Sequence, residues 1–453
     1  MIQKSGNKSI SIENYRALHE KTPNFQETTS SLEDKVLKEF NQKYAIVRTS
    51  STYILVQKTD NEFELDSRKS FLDFHENDFF LTSDGKRKNK GIFWLKHPER
   101  RTYDNIIFDP TRPGDSDEAY NIFRGFAVIP TKGNCSLFWQ HVKEVICRNI
   151  EIHYLYVRKW MACVIQKPGL LATALVLRGL QGTGKNLFVD YFGKIFGPYF
   201  LTASNLEHVC GKFNGHLKYA YLIHANEAVW GGSKKEIGAI KTLITDAVIL
   251  LEGKGRDAIP VGNCRHLIVS SNEDWAVPMD LDDRRCFVLD VSSHRKGDWD
   301  YFGALHKEMS SGGVASLLYE LLHEEISNFD PRQMPVNDSG FDIKMKSAGS
   351  IENFLYEILK EEGISLPGRR RITWRDCSCE EFYNCYREWC KKESLRIEPS
   401  SEFGKRMKKL LSIEKCRKSI DGLREWWYEL PSLEQGRAAF ERFTRQTNRI
   451  WGE

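Results

Sequence analysis

Apolar positions alternate or run together from Tyr44 to Thr49 and from Thr52 to Lys58, on either side of Ser50 and Ser51, which predicts a β-hairpin. The first thirty or so residues, including "TPNFQETTSS", carry too few large apolar groups to pack, which predicts a flexible leader. A small mixed α/β segment ends near "SDGKRKNK". From Gly91 the texture changes to "GIFWLKHPERR", the punctuated loop "FDPTRPGD" and "YNIFRGFAVIP". Aromatic and aliphatic residues at helical spacing then predict helices over Leu137 to Ile146 and Ile152 to Ile165. Strands and helices alternate up to about Val291, the pattern of a parallel-sheet α/β core. Leu317 to Ile326 reads as a closing helix, and "NFDPRQMPVNDSG" reads as a linker. Beyond it, Ser350 is positioned to cap a helix whose Ile351, Phe354, Leu355, Ile358 and Leu359 share one face.

These shifts divide the chain into a leader and small mixed α/β region (1–90), a mostly helical region (91–168), an α/β core (169–330), a linker (331–349) and a C-terminal domain (350–453). With 453 residues, 41% apolar and 28% charged, the composition is that of an ordinary globular protein. No uninterrupted apolar run is long enough to cross a membrane and the N-terminus lacks a signal-peptide core, so an intracellular, cytoplasmic location without membrane partners is expected. Eleven cysteines, an odd number, fit a reducing compartment. A net charge of +4 is too mild to establish a nucleic-acid partner, so that case rests on where the basic residues sit.

The chemistry begins at "LVLRGLQGTGKNLFVDYFGKIFG". Gly179, Gly182, Thr183, Gly184 and Lys185 satisfy G-x-x-x-x-G-K between a predicted strand (Ala174 to Leu177) and a predicted helix (Asn186 to Phe196). Glycines there let backbone N–H groups turn around phosphate oxygens, the helix N-terminus adds positive potential, and Lys185 bridges the terminal phosphates. Asn186 stands where a Ser or Thr hydroxyl normally ligates Mg²⁺, and its amide oxygen is a weaker hard donor. A second strand, "YAYLIHANEA", ends in Asn226 and Glu227; Glu227 is the candidate to orient the attacking water, while Asn226 takes the place of a metal-organising Asp. A third, "RHLIVSSNED", ends in Asn272, a candidate sensor of the γ-phosphate. "DLDDRRCFVLDV" puts Arg284 and Arg285 before another apolar strand, where a guanidinium can neutralise phosphoryl charge, commonly from a neighbouring subunit. A surface Asp-Arg cluster is the plainer reading of that last motif.

Taken in order, "GLQGTGKN", "LIHANEA", "LIVSSNE" and "DDRRCFVLDV" resemble the superfamily 3 helicase core of phage and plasmid primase-helicases, relatives of the poxvirus type. "FWLKHPERRTYDNIIFDP" and "YVRKWMACVIQKP" look like that family's pre-motor region. The resemblance implies an AAA+ P-loop motor assembling as a ring, commonly a homo-hexamer, with ATP and Mg²⁺ at subunit interfaces, single-stranded DNA in the pore and 3′ to 5′ movement. It covers roughly Gly91 to Pro335. The family favours an acidic pair at the second motif and a small or hydroxyl residue at the first, so Asn226 and Asn186 depart from it.

In similar motors a hairpin between the second and third motifs lines the pore, which makes Lys254 and Arg256 of the Gly253 to Arg256 turn candidates for phosphate contact. In the C-terminal segment, Ser378 and Glu381 form a capping-box pattern, and Phe382, Cys385, Tyr386 and Trp389 share a helical face. A helix from Ser401 turns Phe403, Met407, Leu410 and Leu411 inward and Lys405, Arg406, Lys408 and Lys409 outward. A hairpin turning at Asp421-Gly422 follows, and the set resembles a winged helix able to hold duplex or origin DNA.

The spacing of Cys377, Cys379, Cys385 and Cys390 matches no paired zinc pattern, and no acidic cluster predicts priming in this chain. A separate primase or polymerase partner is therefore expected. Two rivals to the helicase remain open: an ATP-binding DNA scaffold with little hydrolysis, and a monomeric P-loop kinase.

Overall fold

The computed structural model describes residues 31–451 except 49–51, 60–61, 83, 113, 205, 212–213, 228–233, 253–257, 274–276, 278, 365–371, 376, 421–422 and 446–450. The expected leader, the turn at Ser50 and Ser51, the basic turn bearing Lys254 and Arg256, and the Asp421-Gly422 turn lie outside the described residues.

Five parallel strands form the central sheet in the spatial order Phe200–Ala203, Leu222–Asn226, His266–Ser271, Ala174–Arg178, Cys286–Asp290. Successive side chains of a strand point to opposite faces, so each strand feeds two cores. Leu175, Leu177, Leu222, Ile268, Phe287 and Leu289 join one cluster with Trp160, Phe138 and Phe188. Val176, Ile223, Ala225, Val269 and Val288 join the other, with Ile240 and Ile244 of the helix Lys234–Thr245. Fully buried side chains of this size contribute about 1.5–3 kcal/mol each, which fixes the sheet rigidly between its helical layers.

The predicted helices over 137–146 and 152–165 are present, the first with a change of winding. Ser136–His141 is α-helical and Val142–Ile146 continues as a π-helix; Glu151–Gln166 follows as one α-helix. The closing helix runs Val314–His323, a few residues earlier than its apolar pattern suggested.

Residues 331–349 differ from the expected linker. Asn337 caps a helix, Asp338–Ser347, whose Ile343 packs into the second core of the sheet while Phe341 and Met345 pack into the C-terminal cluster. The proline and asparagine content that reads as a linker here supplies a helix start.

Near the N-terminus, Ser31 and Asp34 form a capping box for helix Leu32–Lys43, and the hairpin Tyr44–Arg48 with Thr52–Thr59 is antiparallel. In the C-terminal segment, the helices Ser350–Lys360, Cys379–Lys392 and Ser400–Leu411 enclose Phe354, Phe382, Tyr386 and Phe403. The strand Lys415–Ile420 pairs with Leu423–Tyr428, and Cys377–Ser378 adds a third strand. Ser350 is not the cap it was expected to be. Gly349 occupies that position, and the Ser350 hydroxyl pairs with Tyr386 Oη at 2.6 Å.

Candidate functional site

The strand Ala174–Arg178 is buried along its whole length, and its chain leaves the sheet directly into the glycine loop. Gly182 and Gly184 adopt left-handed φ of 79° and 91°. Gly184 is constrained twice, because a Cβ there would lie 2.5 Å from His141 Cε1 and 3.0 Å from Phe302 Cε1. It caps the helix Lys185–Lys194, whose first turn presents unpaired backbone N–H groups to the loop.

The Lys185 ammonium donates to Leu180 O at 2.8 Å, to Asn272 Oδ1 at 3.0 Å and to Gly179 O. Burial holds its pKa below the usual lysine value, and the field of Glu227 opposes that shift. Three strand ends therefore converge on one cavity of about 400 Å³, lined by Lys185 and Asn186 from the loop and helix, Asn226 and Glu227, and Ser270 and Asn272. Lys185 is the one cation and Glu227 the one carboxylate among the lining residues.

Glu227 sits at φ 51°, an uncommon conformation for a residue with a side chain. Beside it, Asn226 Oδ1 is buried without a hydrogen-bond partner. Such an atom is costly unless something else occupies its lone pairs. An orphaned amide oxygen, a carboxylate and an exposed Asn186 make a donor set of hard oxygens that fits Mg²⁺ held largely through water. The left-handed glycines and helix start fit a nucleotide's phosphates.

Sequence reasoning brought together Gly179, Gly182, Thr183, Gly184, Lys185, Asn186, Asn226, Glu227 and Asn272, and the fold places them around the same loop. It missed His141, Ser270, Tyr301 and Phe302. His141 is fully buried, with Nε2 3.2 Å from Gly184 O and Nδ1 3.1 Å from Tyr301 Oη. Burial pushes its pKa down to about 4, so at neutral pH the ring is uncharged, donating to the Gly184 carbonyl and accepting from the Tyr301 hydroxyl. Ser270 lies 2.8 Å from Nε2 of the buried His224. The repeated polar ending of "LIVSSNED" was the available signal for Ser270; nothing local marked His141 or Phe302, which are 43 and 118 positions from Gly184.

Arg284 and Arg285 lie elsewhere. They precede the strand Cys286–Asp290, at the edge of the sheet formed by the starts of its parallel strands, opposite the edge that carries the glycine loop. A five-residue strand separates these edges by about 17 Å, so neither arginine reaches the glycine-loop cavity of its own chain.

On the helix Ser400–Leu411, Lys405 is 3.7 Å from Glu402, Lys408 is 2.7 Å from Glu414, and Lys409 lies 5.5 Å from the centroid of the Phe443 ring. Arg406 departs from its expected outward role: it is half-buried and ion-paired to Glu352, whose side chain is 3% exposed. A carboxylate that deep needs a cation, which commits Arg406 to the interior.

A family of unknown function, DUF5906, matches residues 177–285, the stretch that supplies all three strand ends of the cavity. A DNA primase-polymerase of Nitratiruptor phage NrS-1 is 30% identical over 140 residues, which is 30% of this chain and 19% of that protein; the match thus spans about a fifth of its relative. The apo structure of the NrS-1 C-terminal region superposes with a TM-score of 0.64 at 16% identity, covering 90% of this chain and all of that one. A second, A-form apo structure of the same region gives 0.64 at 15% identity over 88% of this chain. At such identities the likeness is one of fold, and it extends across the helical region, the parallel sheet and the C-terminal segment together.

Proposed function

We propose that this chain is an ATP-dependent motor acting on DNA in the replication of a phage or related mobile element, an AAA+ helicase of the superfamily 3 type. The observation that carries the reading is the convergence of Lys185, Asn226, Glu227 and Asn272, from separate elements, on one phosphate-sized cavity. Lys185 leaves its carbonyl contacts to meet the terminal phosphates, Glu227 orients the attacking water, and Asn272 couples the phosphate to the neighbouring strand. Asn186 and Asn226 hold the hydrated Mg²⁺, which when bound neutralises phosphate charge. Similarity to a phage DNA primase-polymerase supports the replication role.

The position of Arg284 and Arg285 at the far sheet edge supports action on a nucleotide held by a second copy, and hence a ring, read here as a hexamer around single-stranded DNA. The C-terminal helices and hairpin, read as a winged-helix-like module, offer Lys405, Lys408 and Lys409 to duplex or origin DNA; the primase or polymerase is a separate partner.

ATP hydrolysis measured with and without single-stranded DNA, for the wild type and Lys185→Ala, tests the proposal. DNA-stimulated turnover abolished in the variant supports the motor. Equal turnover by both chains sinks it. A second reading, an ATP-binding DNA scaffold that hardly hydrolyses, is favoured by one observation: two of the three side chains at the metal position, Asn186 and Asn226, are amides. Nucleotide-dependent assembly without turnover would select it.

A further inference from the structure

The edge of the sheet opposite the glycine loop carries two adjoining cavities of about 300 Å³ each. Arg284 and Arg332 line both. Arg285, Thr173 and Thr245 complete one; Lys344 and Arg445 complete the other. Asp283 is the one carboxylate lining either, and it is already held by Arg285, at 3.3 Å from Nη1 and through the Arg285 backbone N–H.

Among the described residues, Arg284, Arg332, Lys344 and Arg445 form no ion pair. Lys344 is the telling member: it is 5% exposed, and its ammonium donates to one backbone carbonyl, Thr444 O, at 2.9 Å. Burial lowers its pKa to about 8; the field of Asp283 opposes that shift and the field of Arg445 adds to it. A buried ammonium beside three guanidinium groups is unfavourable unless an anion joins them. Guanidinium forks match phosphate oxygens in pairs.

We propose that these cavities form a second oxyanion site, which binds the di- or triphosphate of a nucleotide. Their size, at the low end for ligand sites, suits a polyphosphate better than a nucleic-acid strand. The phosphates come either from free nucleotide or from a nucleotide seated in the glycine loop of a second copy. In both cases Arg332, Lys344 and Arg445 join Arg284, extending the site well beyond the paired arginines of the sequence motif.

The test is independent of the glycine-loop reading because it uses the full chain carrying Lys185→Ala. Inorganic pyrophosphate is titrated calorimetrically at a concentration where light scattering reports single copies. One site per chain is expected, weakened about tenfold by adding Arg332→Ala, the equivalent of one charge-assisted hydrogen bond. Lys344→Met is expected to weaken it further; because Lys344 is buried, circular dichroism checks its fold, while the exposed Arg332 keeps the test decisive.

Absence of pyrophosphate binding in the Lys185→Ala chain, or equal binding after Arg332→Ala, overturns the proposal. So does an oligonucleotide that binds through Arg332 where pyrophosphate does not. Mixing Lys185→Ala with Arg332→Ala chains separates the sources. Restored ATP turnover supports phosphates from a second copy, and retained pyrophosphate binding without restored turnover supports free nucleotide.

Discussion

The two edges of the parallel sheet handle charge in opposite ways. At the glycine-loop edge Lys185 is satisfied by two backbone carbonyls and Asn272, and the orphan is a neutral amide oxygen, Asn226 Oδ1. At the other edge cations gather with almost no acid, and Lys344 has one carbonyl. On the function proposed above, the first edge is a prearranged receptor, whose polar groups hold one another until phosphate displaces them. The second, as proposed, takes its anion from outside. A site complete in its own backbone suits catalysis; a site made of surplus charge suits recognition of something delivered to it.

Several changes would break or sharpen this contrast. Glu227→Gln keeps size and polarity but removes the lone carboxylate of the cavity, so ATP turnover should fall about 100-fold or more with nucleotide binding retained. Single-turnover hydrolysis beside a binding titration checks it; parallel losses in both would assign Glu227 to the fold.

Gly184→Ala should be nearly as severe. The left-handed φ and the His141 ring leave no room for a methyl group, and strain of about 2 kcal/mol, or roughly 30-fold in affinity, is expected at the phosphate loop. Nucleotide affinity unchanged in a folded Gly184→Ala chain would show that His141 yields.

Acid should weaken the sheet at both ends through buried histidines, His141 beside the glycine loop and His266 at the start of its strand. His141 and His224 are held at about 4 and His266 at about 3 by burial, below their ordinary 6.5. Unfolded histidines take up protons near 6.5 and the folded ones do not, so stability is full above that pH and declines as pH falls toward 4. Calorimetry should show Tm falling by several degrees between pH 7.5 and 5. A flat Tm across that window would mean that these rings are hydrated.

The smallest effect concerns the metal position. Asn226→Asp restores a second carboxylate beside Glu227, and turnover should rise a few-fold by tighter Mg²⁺ organisation. An unchanged or lower rate, measured over a magnesium titration with assembly intact, would count against Asn226 as a metal-facing residue.

What the chain order revealed follows from the range of the interactions involved. The glycine loop was legible because its strand, turn and helix are contiguous: "LVLRGLQGTGKN" contains the φ requirement, the helix start and the lysine within a dozen residues. Glu227 and Asn272 were legible because each ends an apolar strand in polar residues. The C-terminal hairpin was legible from its Asp421-Gly422 turn, and the inward faces of the helices before it from periodicity. Arg406 was misjudged because helical position shows which way a side chain leaves the backbone, while the buried Glu352 that captures it lies 54 residues away. Residues 331–349 misled because turn-forming residues also start helices, and only packing of Ile343 and Phe341 distinguishes the two.

The sequence by itself determined the alternation of strands and helices, the glycine-lysine turn and the two amides, Asn186 and Asn226, because these rest on local geometry and on side-chain chemistry. The tertiary structure decided which strand lies beside which, that His141 and Phe302 close over Gly184, and that Arg284, Arg332, Lys344 and Arg445 share one edge. Burial and the pairing of charge depend on neighbours far apart along the chain, and only the folded sheet brings those neighbours together.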